Sequence, residues 1–316
     1  MKRAGFLAGV AAATVARPAT AADLPYDLIT PTGAIYGSLL LPAAPARPPV
    51  VLIVAGSGPT NRDGNNPLGV GAAPYRLLAE ALASAGIASV RYDKRGIARS
   101  AEAGPLESAL RFEDYVGDAA AWLGKLRADG RFAKSVLAGH SEGSLIGMIA
   151  AQRSPTDAFV SLAGGGFPAG QVLRRQLEPQ TLAPEVKTQI DGIIGALEAG
   201  KPVSEVPLPL MALFHASVQP YLISWFRYDP RVEIAKLKIP CTIVQGTNDV
   251  QVSVDDARAL AAAQPRAKLV LIDGMTHVLK DAPPATPALE QIKTVYADPL
   301  IPVDATLLRT VTDAVR

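Results

Sequence analysis

Gly139-His140-Ser141-Glu142-Gly143 lies between a short apolar run, Ser135-Val136-Leu137-Ala138, and a helical run over 145–151. A strand passing at once into a helix through Gly-x-Ser-x-Gly has little conformational choice. The serine takes a sharp turn, its hydroxyl is pushed out of the fold, and the flanking glycines let backbones approach closely. The spacing therefore predicts a nucleophilic Ser141 at the end of a buried strand, in a chain where strands and helices alternate.

The rest of the sequence keeps that rhythm. Residues 26–41 alternate as a hairpin turning at Pro31-Thr32-Gly33, and 42–49 form a Pro/Ala-rich connector. Strand-like runs follow at 50–54, 87–92, 158–162, 239–245 and 268–272. Between them, 74–86 carries Leu77, Leu78 and Leu82 at helical spacing. Residues 112–126 place Val116, Ala119, Ala120, Leu123 and Leu126 on one helix face. Alternation of this kind predicts an α/β fold with a mostly parallel central sheet and helices on both faces. The rhythm breaks near Gly164-Gly165-Gly166, and 169–231 holds helical stretches but no good strand. The expected organisation is a core in two parts, 23–168 and 236–316, interrupted by a helical insertion over 169–235. Asp304 is placed to cap a closing surface helix over 305–315.

A nucleophilic serine needs a base. Of the three histidines, His140 adjoins the serine and should turn its ring into the fold, while His215 precedes every plausible acid in the last third of the chain. In a strand–elbow–helix site the order is serine, acid, histidine, which leaves His277, in a loop after the 268–272 strand. The acid should end an earlier strand, and Asp249 in Gly246-Thr247-Asn248-Asp249 does so. It is suited to hold the imidazole in its useful tautomer. Asp255 and Asp256 are rivals, but Ser253 can cap a helix there and the first turn explains their charge. Two backbone N–H groups must face the developing oxyanion. One is expected from Glu142. The other should come from the Gly-rich loop after 50–54, with Ser57 the first choice and Gly58 the next.

These residues resemble those of the α/β-hydrolases, and more narrowly of bacterial serine carboxylesterases and their serine aminopeptidase and prolyl-peptidase-like relatives. The resemblance rests on Gly-Ser-Gly-Pro-Thr-Asn-Arg-Asp-Gly at 56–64, Arg91-Tyr92-Asp93-Lys94-Arg95-Gly96, the 139–143 elbow, 246–249 and Thr276-His277. Where many members carry His-Gly after the third strand, this chain has Ala55-Gly56. The resemblance implies ester hydrolysis through an acyl-enzyme, with a peptidase or amidase as alternative and a non-catalytic binding protein as a further one. It also implies that the insertion caps the site and that its aromatics, Phe214, Tyr221, Trp225 and Phe226, form either its own small core or a pocket wall. Asp93, Lys94 and Arg95 read as a structural ion-pair and turn cluster, whereas Arg62 and Asp63 are candidates to meet substrate.

Composition narrows the partners. A net charge of +2 over 316 residues, with no basic run interleaved with aromatics, points away from nucleic acid as the main partner; the small-molecule ester is what the resemblance implies. Cys241 is single and lies in a strand-like run, so no internal disulfide is expected. No cofactor or metal is expected, since no His-x-x-x-His or cysteine cluster occurs. Lys2 and Arg3, the apolar 4–15 stretch and small residues at 19–22 read as a secretory signal peptide over 1–22. The apolar stretch is too short for stable membrane insertion. Export to the periplasm or medium is the expectation. Nothing in the sequence specifies an oligomeric state.

Overall fold

The computed structural model describes residues 23–178 and 183–316, so the signal-peptide reading of 1–22 lies outside the described residues. The strands, in chain order, are β1 (Leu24–Pro25), β2 (Leu28–Thr30), β3 (Gly33–Ile35), β4 (Gly37–Leu40), β5 (Val50–Val54), β6 (Ala88–Tyr92), β7 (Ser135–His140), β8 (Ala158–Leu162), β9 (Cys241–Gly246) and β10 (Lys268–Ile272). The helices are α1 (Pro74–Ser84), α2 (Phe112–Ala128), α3 (Glu142–Arg153), α4 (Ala169–Leu177), α5 (Pro184–Glu198), α6 (Met211–Phe214), α7 (Gln219–Trp225), α8 (Pro230–Ala235), α9 (Val254–Ala263), α10 (Ala288–Lys293) and α11 (Ala305–Val315).

The period-two geometry of a strand sorts β5 between two cores. Val50, Leu52 and Val54 join Trp122, Leu123, Ile146 and Phe159 on one face. Val51 and Ile53 join Leu78, Leu82, Leu307 and Val311 on the other. Helices α2 and α3 thus cover one side of the sheet, and α1 and α11 the other. The runs are apolar throughout because both faces are buried.

The eight-stranded sheet has the order β1-β4-β6-β5-β7-β8-β9-β10. Pairings from β6 through β10 are parallel, while β4 pairs antiparallel with both β1 and β6. The β2–β3 hairpin turns at residues 31–32, with Thr30 opposite Gly33. From β5 the chain steps outward to β6, then returns to the other side of β5 for β7. The sheet reverses winding there, and a crevice opens beyond the carboxyl ends of β5 and β7, the usual seat of a ligand in an open α/β sheet.

Local structure departs from the sequence reading in a few places. Helix α3 starts at Glu142, three residues earlier than its apolar pattern suggests, because Gly143 and Ser144 are buried against the sheet. The closing helix α11 is amphipathic, burying Leu307, Val311 and Val315. Cys241 is buried in β9, and burial pushes its thiol up to about 11. No helix of the described residues is long and apolar enough to cross a membrane.

Candidate active site

Ser141 follows β7 directly and has φ 54° and ψ −122°, a region that a non-glycine residue enters only under strain of about 1–3 kcal/mol. The surroundings hold it there. Its N–H donates to Leu162 O at 2.9 Å, and its carbonyl accepts from Ser144 N at 3.0 Å. Both glycines of the elbow are required by contact. A methyl on Gly143 would overlap Val54 O and lie 2.6 Å from Ala55 O, and one on Gly139 would run into the Gly143 carbonyl. The start of α3 is thereby pressed onto the end of β5, beside the Gly-rich loop.

Asp249 and His277 leave the ends of β9 and β10, so the structure brings together residues 28 positions apart. His277 Nδ1 lies 2.9 Å from Asp249 Oδ2. A carboxylate only accepts, so Nδ1 carries the proton and Nε2 the lone pair. Nε2 makes no hydrogen bond among the described residues, with Ser141 Oγ or any other group; in many hydrolases that contact tightens only when substrate binds. The Asp249 side chain is fully buried. Its Oδ2 also accepts from Gln245 Nε2 at 3.0 Å, and its Oδ1 from the N–H groups of Gln251 (2.8 Å) and Val252 (2.9 Å). Burial alone would raise this carboxyl. The His277 charge and hydrogen bond, with the two backbone N–H groups, outweigh burial and hold it below the usual carboxylate range.

His140 turns into the fold. Its ring lies 4.7 Å, centroid to centroid, from that of His277, and its Nε2 is 2.8 Å from His277 O. That carbonyl can only accept, so Nε2 carries the His140 proton and Nδ1 accepts from Tyr75 O–H at 2.7 Å. Tyr75 Oη in turn accepts from Gly56 N at 3.1 Å. Burial, reinforced by the His277 charge, lowers His140 to about 3, so the ring is neutral. A directed chain, Gly56 N–H to Tyr75 to His140 to His277 O, therefore ties the His277 loop to the Gly-rich loop.

Ser57 and Ser141 line one cavity of about 440 Å³. Its walls are largely apolar, with Leu145 from α3, Val172 and Leu173 from α4, and Phe214, Leu222 and Trp225 from α6 and α7. The inserted aromatics take both roles, since Phe214 and Tyr221 belong to the buried core and also line the cavity. Phe214, Tyr221 and Trp225 face the cavity, and Trp225 also stacks on Phe112 at 6.1 Å. Phe226 is buried in the core. The N–H groups of Ser57 and Glu142 make no hydrogen bond among the described residues.

Other candidates lie elsewhere. Arg62 does not meet the cavity: it clamps Asp93 through Nη2 (2.7 Å) and Nε (3.1 Å) and reaches Ser38, because a guanidinium beside a buried carboxylate is worth more there than in solvent. Asp63 is likewise taken by Arg91 at 3.1 Å. Arg95 pairs with Asp118 at 2.5 Å, as a structural cluster requires. Asp255 is exposed beside Arg258, and Asp256 forms a capping box with Ser253 while accepting from Gly166 N. His215 is exposed and bonded to Ser217. The sequence reading missed Tyr75 and Gln245 as parts of the site, named Tyr221 only as a core or pocket-wall aromatic, and did not place Lys94 there. Lys94 alone carried a signal, as the middle of a charged triplet at a strand end.

Residues 69–187 match the model of the hydrolase family described as "Serine aminopeptidase, S33", a stretch that includes the elbow and ends before Asp249 and His277. Esterase EstD of Thermotoga maritima is 24% identical over 270 residues, covering 83% of this chain; the chain spans 62% of that relative's length. Among solved structures, Est1E from Butyrivibrio proteoclasticus superposes with a TM-score of 0.57 at 17% identity, covering 86% of this chain and 94% of that one. The Pyrococcus furiosus esterase Pf2001 gives 0.56 at 12% identity, covering 93% and 92%. Likeness at such identity establishes architecture, and activity must be argued from the site. The chain has the α/β-hydrolase fold and resembles the esterases and serine aminopeptidases built on it.

Proposed function

We propose that this protein is a serine hydrolase that cleaves carboxylic ester bonds of small to medium substrates. The observation that carries this reading is Ser141, strained into the elbow and lining an apolar cavity, in a fold that also joins Asp249 to His277 in the tautomer that leaves the lone pair on Nε2. In the proposed mechanism Nε2 of His277 takes the hydroxyl proton as Ser141 Oγ attacks the ester carbonyl. Asp249 stabilises the imidazolium, and the N–H groups of Ser57 and Glu142 receive the oxyanion. The imidazolium then protonates the departing alcohol, and water activated by His277 releases the acid from Ser141. The segment 169–235 acts as a cap, since its side chains supply most of the apolar wall. Lys2, Arg3 and the apolar run behind them support export to the periplasm or medium.

The test is a panel of p-nitrophenyl esters from acetate to octanoate, run beside aminoacyl p-nitroanilides. Methyl ferulate belongs in it because Est1E has been solved with ferulic acid bound. Turnover of the esters, abolished in Ser141→Ala, supports the reading. Preference for the anilides moves it to the aminopeptidase alternative, which the family match at 69–187 favours. Failure of a fluorophosphonate to label Ser141 would leave only a binding protein on a hydrolase scaffold.

A further inference from the structure

Lys94 is 1% exposed, follows β6 at the same end of the sheet as the elbow, and pairs with a glutamate that is itself 2% exposed. Its Nζ donates to Gly56 O at 2.6 Å and to Glu142 Oε2 at 3.0 Å, and it sits 4.7 Å above the centre of the Tyr115 ring. The other carboxylate oxygen, Glu142 Oε1, accepts from Tyr221 O–H on α7. Burial, followed by the Glu142 charge, raises the Tyr221 phenol and keeps it a donor.

A buried ion pair is costly to desolvate, and well-packed apolar residues often serve stability as well or better. The placement of this one is what needs explaining. Gly56 O and Ser57 N–H are the two ends of one peptide group, and in a trans peptide they point in opposite directions. Fastening the oxygen to a buried ammonium fixes the direction of the N–H, and the positive charge polarises the peptide so that its hydrogen becomes a stronger donor. The same ammonium holds the side chain of Glu142, whose backbone supplies the second N–H.

We propose that Lys94 is a positioning residue that sets both oxyanion donors, Ser57 N–H and Glu142 N–H, relative to Ser141, with Tyr221 tying that setting to the inserted segment. The inference rests on the serine-hydrolase reading and concerns donors whose benefit appears as charge develops on oxygen. Lys94 therefore acts on kcat and leaves ground-state binding alone.

The test is the double variant Lys94→Met/Glu142→Gln, which removes both charges together and leaves an amide oxygen for Tyr221. Three quantities are read: kcat and KM for p-nitrophenyl butyrate, the second-order rate of Ser141 labelling by an alkyl fluorophosphonate, and Tm. Deleting an oxyanion donor outright costs about 100- to 1,000-fold in kcat. Misdirecting the donors should cost about 10- to 100-fold in kcat and in labelling rate, with KM moving less than about twofold. Should the double variant not fold, Lys94→Arg carries the test through the same readouts, since its planar fork cannot place one proton on Gly56 O as the ammonium does. A folded variant with kcat and labelling within twofold of wild type overturns the inference, as does a loss confined to KM. Wild-type protein that fails to label at Ser141 overturns the serine-hydrolase reading itself, and this inference with it.

Discussion

Replacing Asp249 with asparagine tests the tautomer argument with the smallest change of shape. All four partners of the carboxylate are donors: His277 Nδ1 and Gln245 Nε2 on one oxygen, and the N–H groups of Gln251 and Val252 on the other. An amide has an NH₂ that none of them can accept as they stand. If the NH₂ takes the Oδ1 position, two backbone N–H groups lose their acceptor, at about 1–3 kcal/mol each. If it takes the Oδ2 position, only Gln245 is left facing another donor, because His277 can shift its proton to Nε2 and accept from the amide. The second arrangement is cheaper by roughly one unsatisfied group, so the variant should fold with a Tm only a few degrees lower. It holds His277 in the tautomer that cannot take a proton from Ser141. The expected loss in kcat is about 10⁴-fold, or about 5.5 kcal/mol of transition-state stabilisation, with KM for p-nitrophenyl butyrate nearly unchanged. Initial rates on the purified variant, with circular dichroism to confirm folding, measure it. A folded Asn variant whose kcat stays within tenfold of wild type would refute the assignment of Asp249 as the residue that orients the base.

Gly143→Ala should cost about 3 kcal/mol in urea unfolding and also lower kcat, because the new methyl meets the carbonyls of Val54 and Ala55 and displaces the Gly-rich loop; an Ala variant with wild-type stability would contradict that packing. Leu173→Trp should fill part of the cavity and lower kcat/KM for the octanoate ester at least about tenfold more than for the acetate; an unchanged chain-length ratio would remove Leu173 from the wall. Burial, with the neighbouring Asp304 carboxyl, raises Asp281 from 3.8 to about 6. The folded state therefore keeps a proton that the unfolded chain releases, and stability falls as pH rises from about 4 to 6. Asp281→Asn lacks that slope, so its Tm should exceed wild type at pH 7 by the equivalent of no more than about 1 kcal/mol after solvent screening, and the difference should vanish at pH 4.

The parts of the fold that the sequence reveals are those where local pattern and tertiary burial agree. The β5 run Val50–Val54 is apolar because both its faces are covered, and α11 has the bounds that Asp304 and the Leu307-Val311-Val315 spacing indicate. Ser141, Asp249 and His277 stand out because each ends a recognisable strand. Helices α8 and α10 are harder to see. Each is six residues long, too short for a hydrophobic period, although Asp229-Pro230 is a sound start signal, with the Asp side chain accepting from Arg231 N. Arg62 was misjudged because a charged side chain in a Gly-rich loop looks free in sequence, whereas its partner Asp93 lies 31 residues away. The polar chains behind the site leave no trace in spacing. Tyr75 and His140 are 65 residues apart, and His140 and His277 are 137 apart, so only the folded sheet brings them into one line.

Those chains converge on a single residue. Gly56 donates its N–H to Tyr75, and so through His140 to the carbonyl of His277; it gives its O to Lys94, and so through Glu142 to Tyr221. A Cβ at this position would stand 3.1 Å from that of Ser141, close enough that the elbow would have to shift by a few tenths of an ångström. The two peptide units that meet at Gly56, just past the end of β5, are thereby fixed, one from the side of His277 and the other from the side of the inserted segment. Catalysis by preorganised dipoles requires that donors do not reorient as charge develops. A loop of small residues is too compliant to meet that requirement alone. The two buried networks supply the stiffness by tying this loop to side chains of α1, β7, α3 and α7. On the proposed function, Ala55-Gly56 stands where many α/β-hydrolases carry His-Gly because backbone direction, and not a side chain, would decide where an oxyanion is received.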